Sequence, residues 1–163
     1  MTVLGISLGT SRTGVCVLKD DILFDRHVHS YHDVWSATKL RAIINRYRQY
    51  VTKHNVTAIM VKIPPLDTHS KPLTRMVKHL ERLAKRHDCM FDLITKGELK
   101  DFTGTRSTSG LIECTRRLYP ELSPLFEKGK QSYYKKLFEA VLSAHIFKER
   151  QRKRALRLAP TTE

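Results

Sequence analysis

The chain has 163 residues, the length of one compact domain with a short tail. Hydrophobic residues make up 40% and charged residues 28%, which excludes wholesale disorder. Thirty Lys and Arg stand against sixteen Asp and Glu, giving +14, and an excess of that size points to a polyanionic partner, nucleic acid ahead of an acidic membrane surface.

Three strands come first. Thr2 to Ser7 is β-rich through Val3, Leu4 and Ile6, and a glycine-containing turn through Gly9 and Thr10 follows. Val15 to Leu18 reads as the second strand, Lys19 to Asp21 as a polar turn, and Ile22 to Ser30 as the third, so an antiparallel meander is expected. Ala37, Leu40, Ile43, Ile44, Tyr47, Tyr50 and Val51 then recur at helical spacing, with Asp33 or Ser36 as the cap. Thr57 to Ile63 is a buried strand that Pro64 and Pro65 end, because proline donates no ladder hydrogen bond. Leu73, Met76, Val77, Leu80, Leu83 and Ala84 define a second amphipathic helix, and Met90 to Ile94 the next strand.

The last third reads as helical. Thr108 or Ser109 caps a helix that Pro120 ends, and Gly129 precedes a final helix carrying Leu137, Phe138, Val141 and Leu142. From Lys148 the pattern turns basic, so the expected division is a domain over 1–147 and a basic helical extension and tail over 148–163. Strands that alternate with helices after a meander imply an α/β fold, a mixed five-stranded sheet flanked by helices.

Cys16, Cys89 and Cys114 lie in apolar patterns with no metal-ligand spacing. No apolar run is long enough to span a bilayer, and the N-terminus lacks the features of a secretory signal. A reducing, cytoplasmic setting without membrane contact is expected. His27, His29 and His32 share a short stretch, and alternate strand residues point the same way. No acid or cysteine accompanies them at ligand spacing, so they are read as polar strand residues. The Ser/Thr-rich turn between Gly104 and Gly110 lacks Walker A spacing and its lysine, which argues against nucleotide binding.

Three segments carry a resemblance. Leu4 to Val17, Lys100 to Glu113 and Leu137 to His145 occur in the order, and with the intervening elements, of the RuvC and YqgF branch of the RNase H-like superfamily, which this chain resembles over nearly its whole length. The resemblance implies a two-metal phosphodiesterase centre, in which carboxylates hold divalent ions about 4 Å apart. The positions that match the family's acids depart from it. The first falls on Ser7, the second on Lys62, and only the third, Glu139, is acidic. The family's lysine after the Thr-Gly turn falls on Ser109 or Gly110. An ammonium at Lys62 opposes metal binding, so no metal and no cofactor is expected. Lys62 is read first as a solvated side chain, with contact to nucleic acid or pairing with Glu139 in place of the ion as alternatives, and Glu139 as either that partner or an exposed helix residue.

The expected function is therefore a catalytically degenerate relative of RuvC-type Holliday junction resolvases that binds nucleic acid, DNA first, with a homodimer by analogy. Two alternatives stand beside it. One is an active, divergent Mg²⁺- or Mn²⁺-dependent nuclease that recruits Asp20, Asp21, Asp67 or Glu139; the other is an interaction module for an acidic protein. The nucleic-acid contacts expected from the charge pattern are Arg12, Lys71, Arg75, Lys78, Arg82, Lys85, Arg106, Lys148, Arg152 and Lys153.

Overall fold

β1 (Thr2–Ser7) is buried along its whole length and sits at the centre of a five-stranded sheet. In this computed structural model, residues 1–9, 12–30, 35–65, 70–127 and 130–160 are described. β2 (Arg12–Lys19) pairs antiparallel with β1, and β3 (Ile22–Ser30) antiparallel with β2. On the other side β4 (Ala58–Ile63) runs parallel to β1, and β5 (Met90–Thr95) parallel to β4. The order is β3-β2-β1-β4-β5, the mixed sheet expected from the alternation of elements.

The pleat sorts the core into two layers. Leu4, Ile6, Ile59, Val61 and Ile63 face α1 (Ala37–Lys53) and α2 (Lys71–Arg86). Val3, Ala58 and Met60 face the opposite way, toward α5 (Gln131–Leu158). Ser36 caps α1 by accepting from the Lys39 amide, and Ser70 caps α2 by accepting from the Leu73 amide. The alternative cap Asp33, and likewise His32, Asp67 and Gly129, lie outside the described residues.

Between β5 and α5 the chain departs from expectation. α3 (Lys96–Thr103) starts in a capping box, Thr95 with Glu98, and stops at Gly104, whose φ of +69° suits glycine. α4 (Thr108–Leu118) is capped by Ser107 rather than by Thr108 or Ser109. A 3₁₀ helix then spans Pro120–Phe126.

α5 crosses the sheet at very short range, and two glycines make this possible. A Cβ on Gly5 would stand 2.4 Å from the Ala140 carbonyl oxygen, and one on Gly14 would stand 2.1 Å from that of Lys136. The helix is unbroken through Lys148 and continues to Leu158. No helix among the described residues is long and apolar enough to cross a membrane.

Candidate functional site

Ser7 and Lys62 are register partners on the parallel strands β1 and β4. Both project to the α5 side of the sheet, where Gly5 and Gly14 let the helix backbone settle close enough to bring Glu139 over them. The Lys62 Nζ lies 2.6 Å from Glu139 Oε2, and the Ser7 hydroxyl donates a long hydrogen bond of 3.4 Å to the same oxygen. All three are buried, at 0%, 5% and 2% exposure for Ser7, Lys62 and Glu139. Among the described residues, Glu139 Oε1 has no hydrogen-bond partner. A charge pair this deep is held by mutual neutralisation, because either ion alone would carry an unrelieved desolvation cost.

Three more lysines surround the pair. The Lys136 ammonium sits 3.5 Å from the Leu8 carbonyl oxygen. The Lys96 ammonium donates to the Thr108 hydroxyl at 2.7 Å. Burial, and then the Lys62 charge, pushes the Lys136 amine down to about 8, with Glu139 opposing the shift and Lys135 adding to it. Lys96 is lowered too, by burial and then by Lys135. Lys62 thus contacts the Glu139 carboxylate, Lys96 and Lys136 lie within reach of its charge, and Lys135 stands beside those two, at the carboxyl ends of the parallel strands β1, β4 and β5. Lys96, Lys135 and Lys136 are additions to the residues read from the sequence. Lys135 and Lys136 stand four and three residues before Glu139, on its side of the helix.

Two divalent cations do not fit this residue set. Hard cations need several oxygen ligands, most of them charged. Among the described residues Glu139 is the carboxylate at this centre, and one of its oxygens is engaged by Lys62. No group of three or more His, Cys, Asp or Glu among the described residues is arranged to hold a metal ion. Asp20 and Asp21 offer no rescue. They follow Lys19, whose register partner is Thr2, so they lie at the other end of β1 from Ser7, roughly 16 Å away along the strand. Asp20 instead pairs with the N-terminal amine, and Asp21 with Lys148.

The basic residues divide among three places. Arg12, at the start of β2, stacks over the Tyr133 ring at 4.6 Å, and exposed Arg106 stands two residues before Thr108, which Lys96 bonds. Both therefore flank the centre. Lys71, Arg75, Lys78, Arg82 and Lys85 are exposed on α2, beyond the other face of the sheet. On α5, Lys148 pairs with Asp21, Arg152 with Asp21 and Glu149, and Arg150 with Glu98 and Asp92. Much of the basic helical extension is thus tied back to the domain or to its own helix, while Lys153 is exposed.

The β3 histidines are engaged in polar contacts. His27 bonds Asp25 at 2.7 Å and stacks on His29. The two ring nitrogens of His29 meet the Tyr50 hydroxyl and the Arg46 guanidinium, each at 2.9 Å. Burial, with Arg46 and His27 adding to it, pushes His29 down to about 4, so it is neutral at ordinary pH. The three cysteines are free, and burial pushes Cys16 up to about 12, leaving an inert thiol.

No family model matches the sequence, and no curated protein matches it. Solved structures do match. The chain superimposes on T. thermophilus RuvC in complex with Holliday junction substrate with a TM-score of 0.73 and 16% identity, covering 93% of this chain and 96% of that one. A second Thermus thermophilus RuvC structure gives 0.71 and 16% over the same shares. At that identity the likeness is one of fold, and the fold is RuvC-like, of the RNase H-like type.

Proposed function

We propose that this chain binds nucleic acid, structured DNA foremost, through a RuvC-like centre that has exchanged metal-held catalysis for ammonium groups. The observation that carries the reading is the buried Lys62–Glu139 pair, 2.6 Å apart, with Ser7 beside it. The resemblance aligns these three residues with the family's acids. A site with one carboxylate and four lysines repels divalent cations and attracts a backbone phosphate. The preference for DNA rests on the fold neighbour solved with a Holliday junction substrate.

In this reading Lys62 and Glu139 neutralise each other and hold α5 on the sheet. Lys96, Lys135 and Lys136, with Arg12 and Arg106 at the rim, meet phosphate. Such contacts fix position and carry little base information. Among the described residues no cluster of acids is arranged to activate a water through metal ions, and in this reading the bound strand stays intact. The three free cysteines suit the reducing, cytoplasmic compartment that the reading assigns.

The test is binding and cleavage of a four-way junction and a linear duplex, in EDTA and in Mn²⁺. The reading expects equal affinity in both and no product. Metal-dependent cleavage would restore the active-nuclease alternative, and absence of binding to DNA or RNA at low salt would favour the acidic-protein partner.

A further inference from the structure

The α1–α2 layer has a charge composition unlike the rest of the molecule. α1 carries five Lys and Arg and no acid; α2 carries six and the single acid Glu81. These two helices thus hold most of the +14. Where they pack side by side they leave a groove of about 180 Å³. Arg41 and Arg48 of α1 and Arg82 and Arg86 of α2 line it, with Asn45 and His79 between them.

Among the described residues no carboxylate lines this groove. Elsewhere an arginine close to an acid is paired: Arg116 and Arg117 with Glu113, Arg150 with Glu98. Among the described residues the four groove arginines form no ion pair, and Arg48 donates only to the Asn45 side-chain oxygen, at 2.8 Å. The groove floor is apolar, formed by Leu40, Ile44 and Leu83. Low-dielectric walls focus the field of the guanidinium groups above them. Crowding like charges this way costs stability, so an anion at this place relieves a strain the free protein carries.

We propose that the α1–α2 groove is a second phosphate-binding surface, separate from the centre, and that it seats a nucleic-acid backbone on the opposite face of the sheet. Guanidinium groups bind phosphate oxygens in a two-pronged geometry that ammonium groups lack. The cationic line does not end at the groove. From Lys71 to Lys85 it follows α2 for about 21 Å, the rise of roughly six nucleotides of one strand, so the surface suits an extended polyanion better than a small phosphate ester. With the centre on one face and the groove on the other, one molecule holds two nucleic-acid segments. This inference rests on the reading that the polyanion is nucleic acid.

The experiment compares the intact chain with a variant carrying Arg41→Ala, Arg48→Ala, Arg82→Ala and Arg86→Ala, and with the same four positions changed to Lys. The readout is capture of a fluorescent duplex by protein held on a second, bead-bound duplex, with the salt dependence of single-duplex affinity beside it. The intact chain should bridge. The alanine variant should lose bridging at least tenfold and flatten the limb of the salt dependence that belongs to the groove by roughly 3 to 4 in log–log slope. The lysine variant should recover part of the loss. An intact chain that binds DNA without bridging, or an alanine variant that bridges as well as the intact chain, overturns the inference and leaves the centre's reading standing. An intact chain that binds an acidic peptide but no nucleic acid overturns both.

Discussion

The centre and the α1–α2 face use positive charge in opposite ways. At the centre, Lys62 is buried, paired at 2.6 Å and fixed by the strand register, so its charge belongs to the fold. On the α1–α2 face, Arg41, Arg48, Arg82 and Arg86 are exposed and, among the described residues, no acid lines the groove, so their charge is available to a ligand. A net charge says nothing about this division. Removing a charge from the Lys62–Glu139 pair should cost stability, and removing one from the α1–α2 face should cost binding.

The largest expected effect is at the pair. Glu139→Gln keeps the shape but leaves Lys62 buried without its counter-charge, and should destabilise the domain by about 3–5 kcal/mol in urea unfolding. The double variant Lys62→Met, Glu139→Gln should recover most of that loss, because no buried charge is left. Equal destabilisation by the single and double variants would mean that shape, and not charge, holds α5 here.

The next effect sharpens the geometric side of the comparison. Gly14→Ala puts a methyl group 2.1 Å from the Lys136 carbonyl oxygen, and Gly5→Ala one 2.4 Å from that of Ala140. Either change should lift α5 from the sheet and cost about 1–3 kcal/mol in the same assay. A crystal structure of either variant should show the Ser7 to Glu139 hydrogen bond broken.

The α2 face should behave in the reverse manner. Arg75→Ala, Lys78→Ala and Arg82→Ala together should leave stability within about 0.5 kcal/mol. Nucleic-acid affinity should fall on all sequences alike, with the log affinity against log salt slope flatter by roughly 2.7. A fall in stability matching the fall in affinity would erase the distinction between the two regions.

The three residues at the heart of the centre were legible in the sequence, but not through local rules. Ser7, Lys62 and Glu139 are picked out by the resemblance to the RuvC branch and not by alternation or helical spacing, since β1 and β4 are buried at every position and Glu139 lies outside the apolar stripe of Leu137, Phe138, Val141 and Leu142. The lysines around them were not legible. Lys96 belongs to α3, whose eight residues are too few to show a period, and Lys135 and Lys136 reach the centre only because two glycines let α5 cross so closely. The ion pairs of Lys148, Arg150 and Arg152 were hidden for another reason. Most of their partners, Asp21, Asp92 and Glu98, are distant in the chain, so the segment looks like a free basic run. The groove needs the packing of two helices and appears in neither helix alone.

The smallest effect is a pH dependence. Burial pushes Lys136 down to about 8 in the folded chain, below its ordinary value in the unfolded chain, with Lys62, Glu139 and Lys135 facing it. Burying its charged form therefore opposes folding below about pH 8. This opposition is relieved as pH rises from about 8 toward the unfolded value, because the unfolded chain then binds more protons. Binding should run the other way. Affinity at the centre should weaken as pH rises through about 8 and Lys136 loses its proton, while the groove arginines stay charged. Lys136→Met should abolish that pH dependence, as read by junction affinity between pH 7 and 9.

The most direct test of the account is calorimetric titration of Mn²⁺ into the intact chain at neutral pH. One carboxylate already bound to an ammonium group, within a ring of lysines, predicts no saturable heat. Saturable binding of two ions that disappears in Glu139→Gln would contradict the account and return the centre to metal chemistry.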